Sequence, residues 1–119
     1  MITFICYPRC TTCQKAQRWL DENRIPYERR DIKTDNPKYE ELAAWHQASG
    51  LPLKKFFNTS GTLYQSMDLK NKLPGMSEED MLRLLSTNGM LVKRPLVVGD
   101  EFVLVGFKAS EWESRLKTK

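Results

Sequence analysis

Cys6, Cys10 and Cys13 fall within eight consecutive residues near the start of the chain, in the stretch FICYPRCTTCQKAQRWL, and Cys10 and Cys13 form a C-x-x-C. Such a pair serves as a redox centre, as half of a metal site, or as nothing more than two cysteines in a small core. Only a thiolate attacks a disulfide or an oxidised substrate, and a free thiol with a pKa of about 8.5 is mostly protonated at neutral pH. A helix beginning at Thr11 would set Cys10 against unpaired N–H groups and the positive end of the helix dipole, with Arg9 adjacent. Cys13 would lie about one turn further in on the same side, spaced to attack a mixed disulfide formed on Cys10. Cys10 is then the nucleophile and Cys13 the candidate resolving thiol.

The metal reading fares worse. Zinc needs four ligands, and beyond the C-x-x-C only Cys6 and His46 remain, with no second C-x-x-C and no H-x-x-x-H. No metal and no bound cofactor are expected. Cys6 sits in an apolar run and reads as a small core residue. His46 is assigned no role, and Trp19, Trp45 and Trp112 read as helix-packing residues.

These cysteines need a fold to hold them. At 119 residues, 40% of them apolar, the chain has enough material for one core and too little for two. It reads as a single domain over 1–119, with a helical insertion at about residues 36–88. No apolar run approaches the roughly 18 residues of a membrane span. The opening MITFICYPRC has no basic n-region or long apolar segment, so a cytoplasmic protein is expected. In that compartment a C-x-x-C is more often catalytic or metal-binding than a structural staple. The net charge of +4 is spread thinly, and its patches ERR (28–30) and LKK (53–55) read as solvated faces rather than a surface for nucleic acid. A monomer is expected.

ITFIC (2–6) is a short β-rich run stopped by Pro8 and reads as a buried strand. Cys13, Ala16 and Leu20 follow helical spacing between Thr11 and Asn23. A second strand is expected from Tyr27 to Ile32. Asn36 and Pro37 read as N-cap and first residue of a helix that stops at Gly50. Short helical pieces broken by Pro52 and Gly61 follow. Ser77 opens a capping box for a helix closed by Gly89. RPLVV and FVLVG flank Gly99-Asp100 as a β-hairpin, and Ser110 with Glu113 forms a capping box for the last helix. The order β-α-β, helices, β-β-α predicts a mixed four-stranded sheet with flanking helices, an α/β fold of thioredoxin-like, glutaredoxin-like plan. The C-x-x-C lies where the first strand passes to the first helix, a known redox pairing of motif and fold. A proline just before a strand can be a plain strand start. If Pro95 is instead the cis-proline that faces the reactive thiol in this plan, Arg94 is carried next to Cys10, where its guanidinium would stabilise a thiolate and grip an oxyanion.

YPRCTTCQKAQRWLDENRIPYERRDI, FFNTSGTLYQSMDL and LVKRPLVVGDEFVLVGF, in this order and spacing, resemble the arsenate reductase/Spx group of thioredoxin-like proteins. The resemblance covers most of the chain. It implies that Cys10 is the reactive cysteine, with Arg94 the anion-binding arginine and Pro95 its cis-proline. It also implies an external reductant such as glutathione, glutaredoxin or thioredoxin, and a small oxidised substrate or oxyanion. Glutaredoxin-linked arsenate reductases hold the oxyanion with three arginines. Here the middle position aligns with Asn58 and the one after the hairpin falls near Phe107, so poor arsenate reduction is expected of a thiol-disulfide oxidoreductase. The alternative is an Spx-like redox-sensing regulator binding the C-terminal domain of the RNA polymerase α subunit, a pattern that Cys10, Cys13 and Gly50 fit. Spx proteins carry a further basic segment past the last helix, where this sequence ends at Lys119, which favours the enzyme reading. A non-redox adaptor is the third possibility.

Overall fold

Strand β1 (Ile2–Cys6) runs through the interior of the sheet in the computed structural model, which describes residues 1–117. The expected domain limit at Lys119 lies outside the described residues. Phe4 and Cys6 join the core on one face of the sheet and Ile5 the core on the other, the period-two alternation of a strand covered on both sides. β1 pairs in parallel with β2 (Tyr27–Asp31), Phe4 opposite Arg29. On its other side it pairs antiparallel with β3 (Leu96–Val98), which pairs antiparallel with β4 (Val103–Val105). The order β2-β1-β3-β4 is the mixed thioredoxin-like sheet expected from the element pattern.

A parallel pair requires a crossover, and α1 (Thr11–Glu22) supplies it. Cys13, Ala16 and Leu20 form its buried stripe. They pack with Phe4, Val97 and Leu104 from the sheet and with Trp112 of α6 (Ala109–Leu116). Trp112 is fully buried, edge-on to Phe4, Trp19 and Phe107, and its indole N–H donates to Gly106 O at 3.2 Å.

The opposite face carries Ile5, Leu96 and Val103. Against it lie Leu42 of α2 (Tyr39–Ser49) and Leu82 and Leu85 of α5 (Glu78–Thr87). Tyr64 of α3 (Thr62–Ser66) and Leu69 of α4 (Leu69–Lys72) complete this core, with Phe56 and Leu91 from short 3₁₀ turns. All of these helical pieces lie between β2 and β3 in the chain.

Four expected boundaries move. β2 ends at Asp31, though Ile32 stays buried and its N–H still donates to Cys6 O at 2.9 Å. Asn36 is not the N-cap of α2: its Oδ1, the atom that would cap, accepts from Lys38 Nζ at 3.2 Å while its Nδ2 donates to Ser86 O at 2.8 Å, and Lys38 holds the N-cap position, its N–H donating to Glu41 Oε1. Gly89 does not close α5, which ends at Thr87. It is glycine because any Cβ there would collide with the Ile32 carbonyl. Ser110 is not a cap either; Lys108 precedes the helix and Ser110 lies in its first turn. Gly50 does stop α2, in the left-handed conformation with φ 69°.

The ERR patch is only partly solvated. Arg30 makes a bidentate pair with Glu41 at 2.7 and 2.9 Å, donates to the Asp35 and Asn36 carbonyls, and lies over the Trp45 ring. It ties β2 to α2. Among the described residues, no helix is long and apolar enough to cross a membrane.

Candidate active site

The chain leaves β1 through Tyr7-Pro8-Arg9, and a tight turn (Cys10 N–H to Tyr7 O, 3.0 Å) brings Cys10 to the N-cap of α1. Its backbone is extended (φ −85°, ψ 121°), while its carbonyl already accepts the first helical bond from Gln14 at 3.0 Å. Cys10 is half-buried; Cys13, one turn on, is 2% exposed and packs in the α1 face core. All three cysteines are free thiols.

Their environments drive the two sulfurs of the pair apart. Partial burial pushes the Cys10 thiol up, but hydrogen bonds from the Cys13 N–H and thiol and from Arg94, with the Arg94 charge, outweigh it and hold Cys10 below the ordinary thiol value. Cys13 is pushed up to about 12, first by burial and then by the Cys10 and Cys6 sulfurs; a bond from the Tyr7 N–H to its Sγ at 3.4 Å works the other way. Of the pair, Cys10 is the sulfur that loses its proton more readily.

Arg94 reaches the site on the loop before β3. The Arg94–Pro95 peptide is cis and Pro95 is buried. Bonds from Lys93 N–H to Phe56 O (2.7 Å) and from Gly106 N–H to Pro95 O (2.8 Å) fix the loop on both sides. The guanidinium lies over the Tyr7 ring, 5.2 Å from its centroid. Its Nε and Nη1 are buried without a protein partner.

A cavity of about 590 Å³ opens beside Cys10 and Arg94. Thr12 lines it at the start of α1, Asn58, Ser60 and Thr62 on one wall, and Phe107 on another. Lys93 and Lys108 add positive charge to that of Arg94, and no carboxylate is among its lining residues. Asn58, and Phe107 near which the third arginine is expected, lie on the wall of the same cavity as Arg94. Phe107 is packed edge-on to Trp112 at 4.8 Å.

Arg9 is exposed and outside the cavity lining; the charge at Cys10 is that of Arg94. Gly50 lies at the end of α2, also outside it. His46 rests against the edge of Phe56, and among the described residues no three His, Cys, Asp or Glu side chains are grouped to hold a metal ion. Sequence reasoning missed Tyr7, Lys93 and Lys108. Two of them adjoin residues already singled out, Tyr7 in CYPRC and Lys93 in KRP, but their contacts depend on how the loops cross.

A thiol at the start of α1, on the β1–α1 crossover of a mixed sheet and facing the proline loop before β3, defines a thioredoxin-like protein. Within that class the chain belongs to the ArsC family, whose model matches residues 6–115. It is 49% identical over 112 residues to YusI of Bacillus subtilis (strain 168), an uncharacterised protein, covering 94% of this chain and 95% of that one. It is 30% identical over 111 residues to the global transcriptional regulator Spx of Enterococcus faecalis (strain ATCC 700802 / V583), covering 93% and 83%. The crystal structure of an ArsC family related protein from Bacteroides fragilis superposes with a TM-score of 0.93 at 60% identity, covering 95% of each chain.

Proposed function

We propose that this protein is a cytoplasmic thiol-disulfide oxidoreductase acting on small anionic oxidised substrates, with Cys10 as nucleophile, Cys13 as resolving thiol and Arg94 as the anion- and thiolate-binding group. One observation supports the reading: Cys10, its thiol held below the ordinary value, and Arg94 line one cavity that also carries Lys93 and Lys108 and no carboxylate. An anionic substrate in this cavity meets the positive charge of Arg94, Lys93 and Lys108 beside the Cys10 sulfur.

The Cys10 thiolate attacks one sulfur of a disulfide substrate; the S–S electron pair leaves on the departing thiolate, which takes a proton from solvent. With Cys10 in a mixed disulfide, its negative charge no longer holds the Cys13 proton in place. The Tyr7 N–H remains to receive the Cys13 thiolate as it forms. Cys13 attacks Cys10 Sγ, the second thiol of the substrate departs, and a 10–13 disulfide remains. An external thiol of the glutathione, glutaredoxin or thioredoxin kind reduces it. Arsenate, a hydrated multiply charged oxyanion, meets one guanidinium where three forks would hold it, so its capture is weak.

A second reading, a redox-sensing regulator that binds the C-terminal domain of the RNA polymerase α subunit, is favoured by the similarity to the Enterococcus faecalis Spx. Coupled turnover of a small anionic disulfide with thioredoxin or glutaredoxin separates the two. The enzyme reading predicts turnover that Cys10→Ser abolishes. No turnover, with that purified polymerase domain bound only in one redox state, would establish the regulator instead.

A further inference from the structure

Cys6, the third cysteine, has no part in the chemistry above, yet three contacts place it in line with the other two. Its side chain points to the α1 face of the sheet, as that of Phe4 does, into the same core as Cys13, and Cys10 packs against that core. Cys13 Sγ accepts the N–H of Tyr7, the residue directly after Cys6, at 3.4 Å, which seats the middle sulfur over the end of β1 where Cys6 lies. On the far side, Arg29 Nε donates to Cys6 Sγ at 3.4 Å. Arg29 sits on β2 opposite Phe4 and is itself exposed, so a cation at the sheet edge touches a sulfur that is only 1% exposed. The order across the molecule is cavity, Cys10, Cys13, Cys6, Arg29.

We propose that Cys6 is a second partner for Cys13, so that the oxidised protein exists as two exchanging disulfides, 10–13 and 6–13. The proposal rests on the 10–13 redox pair described above and extends it. The exchange is internal and needs no further oxidant. Cys6 gives up its proton to solvent beside Arg29, whose charge offsets that of the new thiolate. That thiolate attacks Cys13 Sγ, a Cys6–Cys13 bond forms, the Cys10–Cys13 bond breaks, and its electron pair leaves on Cys10 Sγ. Cys10 is the better leaving group because Arg94 and the α1 N-terminus stabilise its thiolate. The oxidising equivalents move into the core while the cavity regains a reactive thiol. An oxidised molecule can then form a second mixed disulfide at Cys10.

The test uses the full chain oxidised with a small disulfide such as oxidised glutathione, freed of excess reagent, and alkylated under native conditions before disulfide mapping by mass spectrometry. Expected are 10–13 and 6–13 linked peptides in the wild type, with label on Cys10 in the molecules that carry 6–13. Label on Cys10 of the oxidised protein should fall to background in both Cys6→Ser and Cys6→Ala, which keep 10–13. Should the wild type yield only 10–13, with Cys10 unlabelled, Cys6 is a core residue and the proposal is overturned while the redox pair stands. Absence of both the 10–13 and the 6–13 disulfide would remove the redox pair and the proposal together.

Discussion

The Arg94 guanidinium lies 5.2 Å above the Tyr7 ring and lowers the pKa of Cys10, three residues after that ring in the chain. Tyr7 also gives its backbone N–H to Cys13 Sγ. A single residue at the end of β1 therefore steadies the cation at one sulfur through its ring and the other sulfur through its backbone. Burying Arg94 Nε and Nη1 without partners is costly, and the cation–π contact with Tyr7 offsets part of that cost.

Arg94→Ala should raise the Cys10 pKa, since it removes both a hydrogen bond and a positive charge from the thiolate. Thiolate absorbance followed through a pH titration reads this directly. Binding of anionic substrates should weaken roughly ten- to a hundredfold, the value of a charge-assisted contact of about 1.5–3 kcal/mol. An unchanged titration would remove Arg94 from the site.

Asn58→Arg should strengthen oxyanion binding, because it returns a guanidinium to the cavity wall that Arg94 shares. The expected gain is about tenfold or more in arsenate or sulfate affinity, measured by protection of Cys10 from alkylation. Phe107→Arg is the poorer choice, as Phe107 is packed against Trp19 and Trp112 and its loss would disturb that core. No gain from Asn58→Arg would mean that residue 58 does not reach a bound anion.

Glu41→Gln should destabilise the fold by about 1–2 kcal/mol, the value of a charged hydrogen bond discounted for partial exposure. Chemical denaturation at neutral pH measures it. The bond from Arg30 holds the Glu41 carboxyl below its ordinary value of 4.5, against the upward push of partial burial. The pair's contribution is therefore fully present above that value and fades as pH falls through the lower, folded value. The difference between wild type and Glu41→Gln should shrink over that acid range. A difference independent of pH would mean the pair does not titrate with folding.

The periodicities that built the sheet and α1 were plain in the sequence because few forces compete there. Phe4, Ile5, Cys13, Ala16 and Leu20 are core residues whose spacing alone selects strand or helix. Local capping signals fared worse wherever a tertiary contact claimed the side chain. Asn36 has the chemistry of an N-cap but bonds to Ser86, fifty residues away, and Gly89 is demanded by the Ile32 carbonyl rather than by a helix end. That Cys10 and Arg94 meet at one cavity was legible because motif and strand order bring the two loops together. Lys93, Lys108 and the stacking of Tyr7 under Arg94 were not, since a lysine beside a loop gives no sign of which cavity it borders.

Alkylation of the reduced, native protein, resolved by site and followed with pH, tests the division of roles between Cys10 and Cys13 most directly. The predicted result is that Cys10 labels first, with a midpoint below the ordinary thiol value, while Cys13, pushed up to about 12, and the buried Cys6 stay unlabelled until the protein unfolds. Equal labelling of Cys10 and Cys13, or a Cys10 midpoint at or above that of a free thiol, would contradict it.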